Sequence, residues 1–94
     1  MAIQSFKDQE AQSFHTDGDT TADWQAVKKI VARKLDMLDA AVELKDLRSP
    51  PGNRLEALKG DRLGQWSIRV NDQWRICFRW SGAGPEAVEI TDYH

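Results

Sequence analysis

The chain has 94 residues, with 13 Lys and Arg against 15 Asp and Glu for a net charge of −2, and this balance excludes a protein that grips nucleic acid by bulk charge alone. A single cysteine excludes an internal disulfide, so a reducing cytoplasm is the expected setting. The start, M-A-I-Q-S-F-K-D, has no hydrophobic signal region, and no apolar run approaches membrane length, so no membrane association is expected.

A chain of this size buries about 60 to 65 per cent of its unfolded surface. The core must therefore be dense, and four tryptophans with three phenylalanines supply that density. The expected organisation is one domain over residues 1–94, with no internal repeat. Charge is unevenly spread: residues 48–80 hold seven Lys and Arg against three Asp and Glu, while both flanking segments are acidic.

In chain order, Ile3 to Phe6 reads as a short first strand, and Lys7 to Phe14 as a helix-like stretch. His15-Thr-Asp-Gly-Asp-Thr-Thr is a loop by composition, with His15 solvated. Asp17, Asp19 and Asp23 within and beyond it imitate a calcium loop, but the glycine and the bidentate glutamate such a loop needs are missing, so no metal is expected. From Thr20 or Thr21 the period changes. Trp24, Val27, Ile30, Val31, Leu35 and Leu38 recur at three and four residues, predicting a helix to about Ala41, capped by Thr20 with Asp23 in its first turn. Lys28, Lys29, Arg33 and Lys34 form a basic run on it that reads as a solvated face.

Pro50 and Pro51 end helical structure. Arg54 to Lys59 suits a helical turn nearly as well as a strand, and Gly60-Asp61 is a turn. The stretch Gln65 to Trp80 is better defined. Trp66, Ile68, Val70, Trp74, Ile76, Phe78 and Trp80 share one parity, and Ser67, Arg69, Arg75, Cys77 and Arg79 the other. This is a β-hairpin turning at Asn71-Asp72-Gln73, apolar on one side and cationic on the other. A three-residue loop keeps like faces together, whereas a two-residue loop would set apolar side chains against arginines. The first register places Arg69 opposite Arg75, a like-charge pair that calls for an anion over it. Ala87 to His94 closes the chain as a final strand, with Glu89, Thr91 and Tyr93 on the parity of the arginines.

These elements define an α+β fold, an antiparallel sheet of about four to five strands with two helices packed on one face. The other face is then expected to be open and to carry the arginines. If the anion above it is a phosphodiester, arginine is suited to it by its planar fork of donors. Cleaving RNA without a metal requires a base for the 2′-hydroxyl, an acid for the leaving 5′-oxygen and cations for the developing charge. Lys59, Arg69 and Arg75 offer the charge, and Asp92, Tyr93 and His94 the proton-transfer groups, with His94 titrating nearest neutrality. Cys77, with no CxxC partner, reads as an ordinary unpaired thiol.

The run N-R-L-E-A-L-K-G-D-R-L-G-Q-W-S-I-R-V-N-D-Q-W-R-I-C-F, with M-L-D-A-A, L-R-S-P-P-G-N-R-L and a terminal D-Y-H, resembles the HigB branch of the RelE/ParE toxins of toxin-antitoxin systems. The resemblance implies a toxin of a type II system, a ribosome-dependent and metal-free endoribonuclease that cuts messenger RNA. It implies no cofactor. It assigns Lys59 and Arg75 to the scissile phosphate and Asp92, Tyr93 and His94 to the terminal catalytic triplet, with Arg62, Arg69 and Arg79 along the RNA. Some members have a histidine where this chain has Glu56, which stands either as a second acid/base or as a surface carboxylate. The implied partners are a HigA-like helix-turn-helix antitoxin, the ribosome with its mRNA, and operator DNA through the antitoxin. Two other readings remain: a ParE-like inhibitor of DNA gyrase that cuts nothing, and an inert co-repressor that binds antitoxin.

Overall fold

The computed structural model describes residues 2–92. The first helix, α1 (Gln9–Asp17), starts where the Asp8 side chain accepts a hydrogen bond from the Glu10 N–H at 3.0 Å. It ends at Gly18, whose φ of 81° closes the turn through Gly18 N–H to Phe14 O at 2.7 Å. His15, Thr16 and Asp17 thus belong to a helix, not to the loop their composition suggests. His15 is half-buried, its ring 5.7 Å from that of Phe6.

The long helix starts later than its apolar spacing indicates. Thr20 Oγ1 accepts from Ala22 N–H at 3.0 Å, so Thr20 holds a local turn and caps no helix. A single 3₁₀ turn, Gln25–Val27, follows before α2 (Lys28–Ala40). Trp24 still reaches the core, meeting Phe14 edge-on at 5.1 Å. The basic run on α2 is not a uniform solvated face, because Lys34 is buried with Val31, Leu35 and Leu38. Two more 3₁₀ segments, Leu44–Arg48 and Pro51–Asn53, lead into the sheet.

That sheet has four antiparallel strands in chain order: β1 (Glu56–Ala57), β2 (Trp66–Arg69), β3 (Trp74–Ser81) and β4 (Gly84–Asp92). The segment Ile3–Phe6 forms no strand. Phe6 makes one isolated parallel bridge to Val88. The hairpin adopts the three-residue loop, with Trp66 opposite Phe78, Ser67 opposite Cys77, Ile68 opposite Ile76 and Arg69 opposite Arg75. Asn71 fixes that loop, its side-chain oxygen accepting from Gln73 N–H at 2.9 Å and Trp74 N–H at 2.7 Å.

Ile68, Ile76, Phe78, Val88 and Ile90 on one sheet face pack with Phe14, Val31, Leu35 and Leu38 into one apolar cluster. The helices cover that face, as an α+β design requires. The second face is not open along its length. Ser67 and Cys77 have no exposed surface, and Leu58, from the segment between β1 and β2, is also buried while standing outside the main cluster. No helix of the described residues is long and apolar enough to cross a membrane.

Candidate active site

Strand register sets the geometry of the second face. Because side chains alternate, Glu56, Ser67, Cys77 and Glu89 form one row across all four strands, and Arg69, Arg75 and Thr91 form the next. Arg75 is tied to the first row. Its Nε donates to Ser67 Oγ at 2.8 Å and its Nη2 to the Arg54 carbonyl at 2.9 Å. Its remaining N–H groups have no partner among the described residues.

The like-charge pair therefore needs no external anion to hold it. Arg75 turns toward Ser67 and Arg54, while Arg69 pairs with Asp72 of the hairpin loop. Arg62 is engaged as well, its Nη1 lying 2.6 Å from Glu89 Oε1 and donating to Gln65 Oε1 at 3.2 Å. Lys7 approaches the same Glu89 oxygen at 3.8 Å. Glu89 is largely shielded from solvent, so its charge is balanced within the fold by these two cations.

Beside Arg75, a shallow open groove of about 360 Å³ is lined by Glu56, Ala57, Leu58 and Lys59. Leu58 N–H donates to Gln65 O at 2.9 Å and anchors the groove floor, leaving Glu56 and Lys59 exposed on either side. Lys59 makes no ion pair among the described residues. Glu56 is thus the register partner of Ser67, which Arg75 contacts, and Lys59 lines the same groove as Glu56.

Arg79 follows a bulge after Cys77, and its guanidinium reaches over the loop before β2. A methyl group placed on Gly64 would lie 2.9 Å from Arg79 Nη1, so the arginine occupies space that a side chain there would fill. Asp92 pairs in register with Trp74, on the parity opposite to Arg75, and accepts a hydrogen bond from Gln73 Nε2 at 3.1 Å. Tyr93 and His94 lie outside the described residues.

Burial pushes the Cys77 thiol up to about 11, with Arg62 lowering it and Glu89 raising it further. A thiol so desolvated stays protonated at neutral pH and is a poor nucleophile. Among the described residues, no three His, Cys, Asp or Glu side chains come together to hold a metal ion. Asp19 instead accepts from Thr20 N–H at 2.9 Å and pairs with Lys28 at 3.3 Å. Two residues of the site edge carry no signal in the sequence pattern. Ser67 looks like any small strand residue, and Arg54 contributes through its backbone carbonyl, which no side-chain motif marks.

The arrangement of two helices on a four-stranded antiparallel sheet is the RelE/ParE-like fold. A solved structure of the YoeB/ParE toxin from Agrobacterium tumefaciens superposes over the full length of both chains with a TM-score of 0.54 at 21% identity. A family model described as the RelE-like toxin of the type II toxin-antitoxin system HigB matches residues 4–94. The chain belongs to this family of HigB-like toxins, and membership implies a cognate antitoxin. It is 43% identical over 81 residues to Toxin HigB-1 of Vibrio cholerae, covering 85% of this chain and 84% of that one. It is 38% identical over 61 residues to Endoribonuclease HigB of Proteus vulgaris, covering 65% of each.

Proposed function

We propose that this toxin is an endoribonuclease that cuts mRNA on the ribosome without a metal, by attack of the 2′-hydroxyl on the adjacent phosphate. The observation that supports this reading is an Arg75 fixed at two atoms, its remaining donors without partners among the described residues, beside Ser67, whose register partner Glu56 lines a groove with Lys59. A preorganised guanidinium stabilises charge that develops on a phosphoryl group better than a mobile one, since it needs no reorganisation during the reaction.

In this mechanism a base removes the 2′-hydroxyl proton, and the 2′-oxygen bonds to phosphorus. The 5′-oxygen then leaves with a proton from an acid, giving a 2′,3′-cyclic phosphate and a 5′-hydroxyl. Arg75 and Lys59 neutralise the phosphate oxygens. Glu56, exposed beside Lys59, is assigned the base and His94 the acid, with Tyr93 and Asp92 assigned to support it, although Asp92 stands on the parity opposite to Arg75 and holds Gln73. Arg62, Arg69 and Arg79 lie along the RNA path, although Arg62 and Arg69 already hold carboxylates. The antitoxin is proposed to be a HigA-like helix-turn-helix protein through which the pair contacts operator DNA.

The test is expression of wild type, Arg75→Ala and a form lacking Tyr93 and His94, followed by mapping of mRNA 5′ ends. Wild type should cut coding sequence, and Arg75→Ala should lower the rate by about 10²- to 10³-fold, the usual loss on removing one preorganised donor. The truncation should fold, because it leaves whole the apolar cluster formed by the described residues. If it cuts as well as wild type, His94 is not the acid. Toxicity accompanied by DNA damage and intact mRNA would instead indicate gyrase poisoning.

A further inference from the structure

Lys34 is only 5% exposed, and its ammonium donates to Asn53 Oδ1, an atom of a residue with no exposed surface. A buried ammonium requires a partner, and this one has a neutral amide instead of a carboxylate. The charged groups that bear on it, Arg33 and Arg69, are both positive. An arrangement this unfavourable for a cation is a poor way merely to fill space, since an apolar side chain of the same length would pack there without the desolvation.

What the contact does hold is Asn53. Its amide nitrogen donates to the Leu47 carbonyl at 3.1 Å and the Ser49 carbonyl at 3.3 Å. With Lys34 on its oxygen, Asn53 joins α2, the 3₁₀ segment Leu44–Arg48 and the proline turn at one point. The next residue, Arg54, sits at φ 46° and ψ 54°, a left-handed conformation that arginine seldom adopts. Its N–H donates to Pro51 O at 3.1 Å, and its carbonyl accepts Nη2 of Arg75 at 2.9 Å. The Arg54 side chain is exposed, so the constraint on its backbone comes from the residues before it.

We propose that Lys34 and Asn53 are positioning residues: they clamp the turn that aims the Arg54 carbonyl at Arg75, and so orient its guanidinium. This rests on the reading of Arg75 as the cation that meets the phosphate. The linkage runs from the helical layer to the second sheet face through four residues, Lys34, Asn53, Arg54 and Arg75, each in hydrogen-bonded or covalent contact with the next.

The experiment compares wild type with Lys34→Met, which keeps an unbranched side chain, one atom shorter, and removes the donor, and with Arg75→Ala and the double variant. The direct readout is the Arg75 Nε–H resonance in 15N NMR, followed with its exchange rate. In Lys34→Met the resonance should move toward the free-guanidinium position and exchange faster. The maximal cleavage rate on programmed ribosomes should fall about ten- to a hundredfold at unchanged half-saturating substrate, as for a small misplacement of a catalytic group. The double variant should be no slower than Arg75→Ala alone, because the two changes act through one group. Asn53→Ser, which shortens the bridge from its other side, should shift the same resonance and rate, and it carries the test if Lys34→Met does not fold. A folded variant of either kind that keeps the Arg75 resonance and the maximal rate while lowering only the melting temperature overturns the proposal. If Arg75→Ala itself cuts normally, the catalytic reading of Arg75 fails, and the NMR shift still decides whether Lys34 and Asn53 position it.

Discussion

Cys77 stands in the middle of the row Glu56–Ser67–Cys77–Glu89, surrounded by charged side chains, yet it has no exposed surface. Burial holds its pKa near 11, above the ordinary 9.0. Between those values the folded protein binds a proton that the unfolded chain has lost, so this thiol favours the fold below pH 9.0 and loses that contribution as pH rises through about 11. Two outcomes follow. A thiol-specific disulfide reagent at pH 8 should label native protein slowly and denaturant-unfolded protein at once, and Cys77→Ala should narrow its stability gap to wild type as pH climbs from 9.0 to about 11. Rapid native labelling would show that this face opens to solvent. Lys34 shows what the sequence held and what it hid. It lies three residues after Val31 and four before Leu38, so spacing alone puts it on the buried stripe, but its three basic neighbours make it look solvated. Its true partner, Asn53, is nineteen residues on, and no local pattern joins them.

At the level of elements, the hairpin was the most legible part of the chain because a one-residue slip would reverse every side chain in it. Parity therefore dictated both the pairing and the three-residue loop, and Asn71 supplies the side-chain acceptor that such a loop needs. The boundaries that sequence missed share a physical cause. Trp24 and Val27 fit the helical spacing but reach the core from a turn, and Ile3–Phe6 follows the sheet with a single bridge instead of a ladder. Apolar periodicity reports which side chains are buried, and several backbones satisfy the same burial. The burial of Leu58 was hidden for a related reason, since its segment fits a helical turn nearly as well as a strand. Phe78 tests the hairpin's role in the core. It is fully buried beside Ile68 and Ile76, and Phe78→Ala should lower unfolding free energy by about 3 to 5 kcal/mol in chemical denaturation. A loss below about 1 kcal/mol would mean that the helices collapse into the space and that the hairpin is not the organising layer.

For the molecule as a whole, charge decides how RNA is reached. The net charge is −2, and of the arginines gathered in residues 48–80, Arg62 is engaged with Glu89 and Arg69 with Asp72. The field that would draw a polyanion from solution is therefore weak, and in the proposed function Lys59 and Arg75 are the cations that meet the scissile phosphate. Single-stranded RNA loses affinity with salt at a log–log slope of about −0.7 per phosphate neutralised, so two such contacts predict a slope of about −1.4. Binding of a fluorescently labelled RNA, followed by anisotropy across a potassium chloride series, should show that shallow slope and weak affinity. Cleavage of the same RNA should be slow when it is naked and fast when it is presented in the ribosomal decoding site, because the ribosome then supplies the binding that this surface lacks. A slope steeper than about −3 would mean that more than four phosphates are neutralised, and with efficient cutting of naked RNA it would replace presentation by the ribosome with capture by the toxin's own surface.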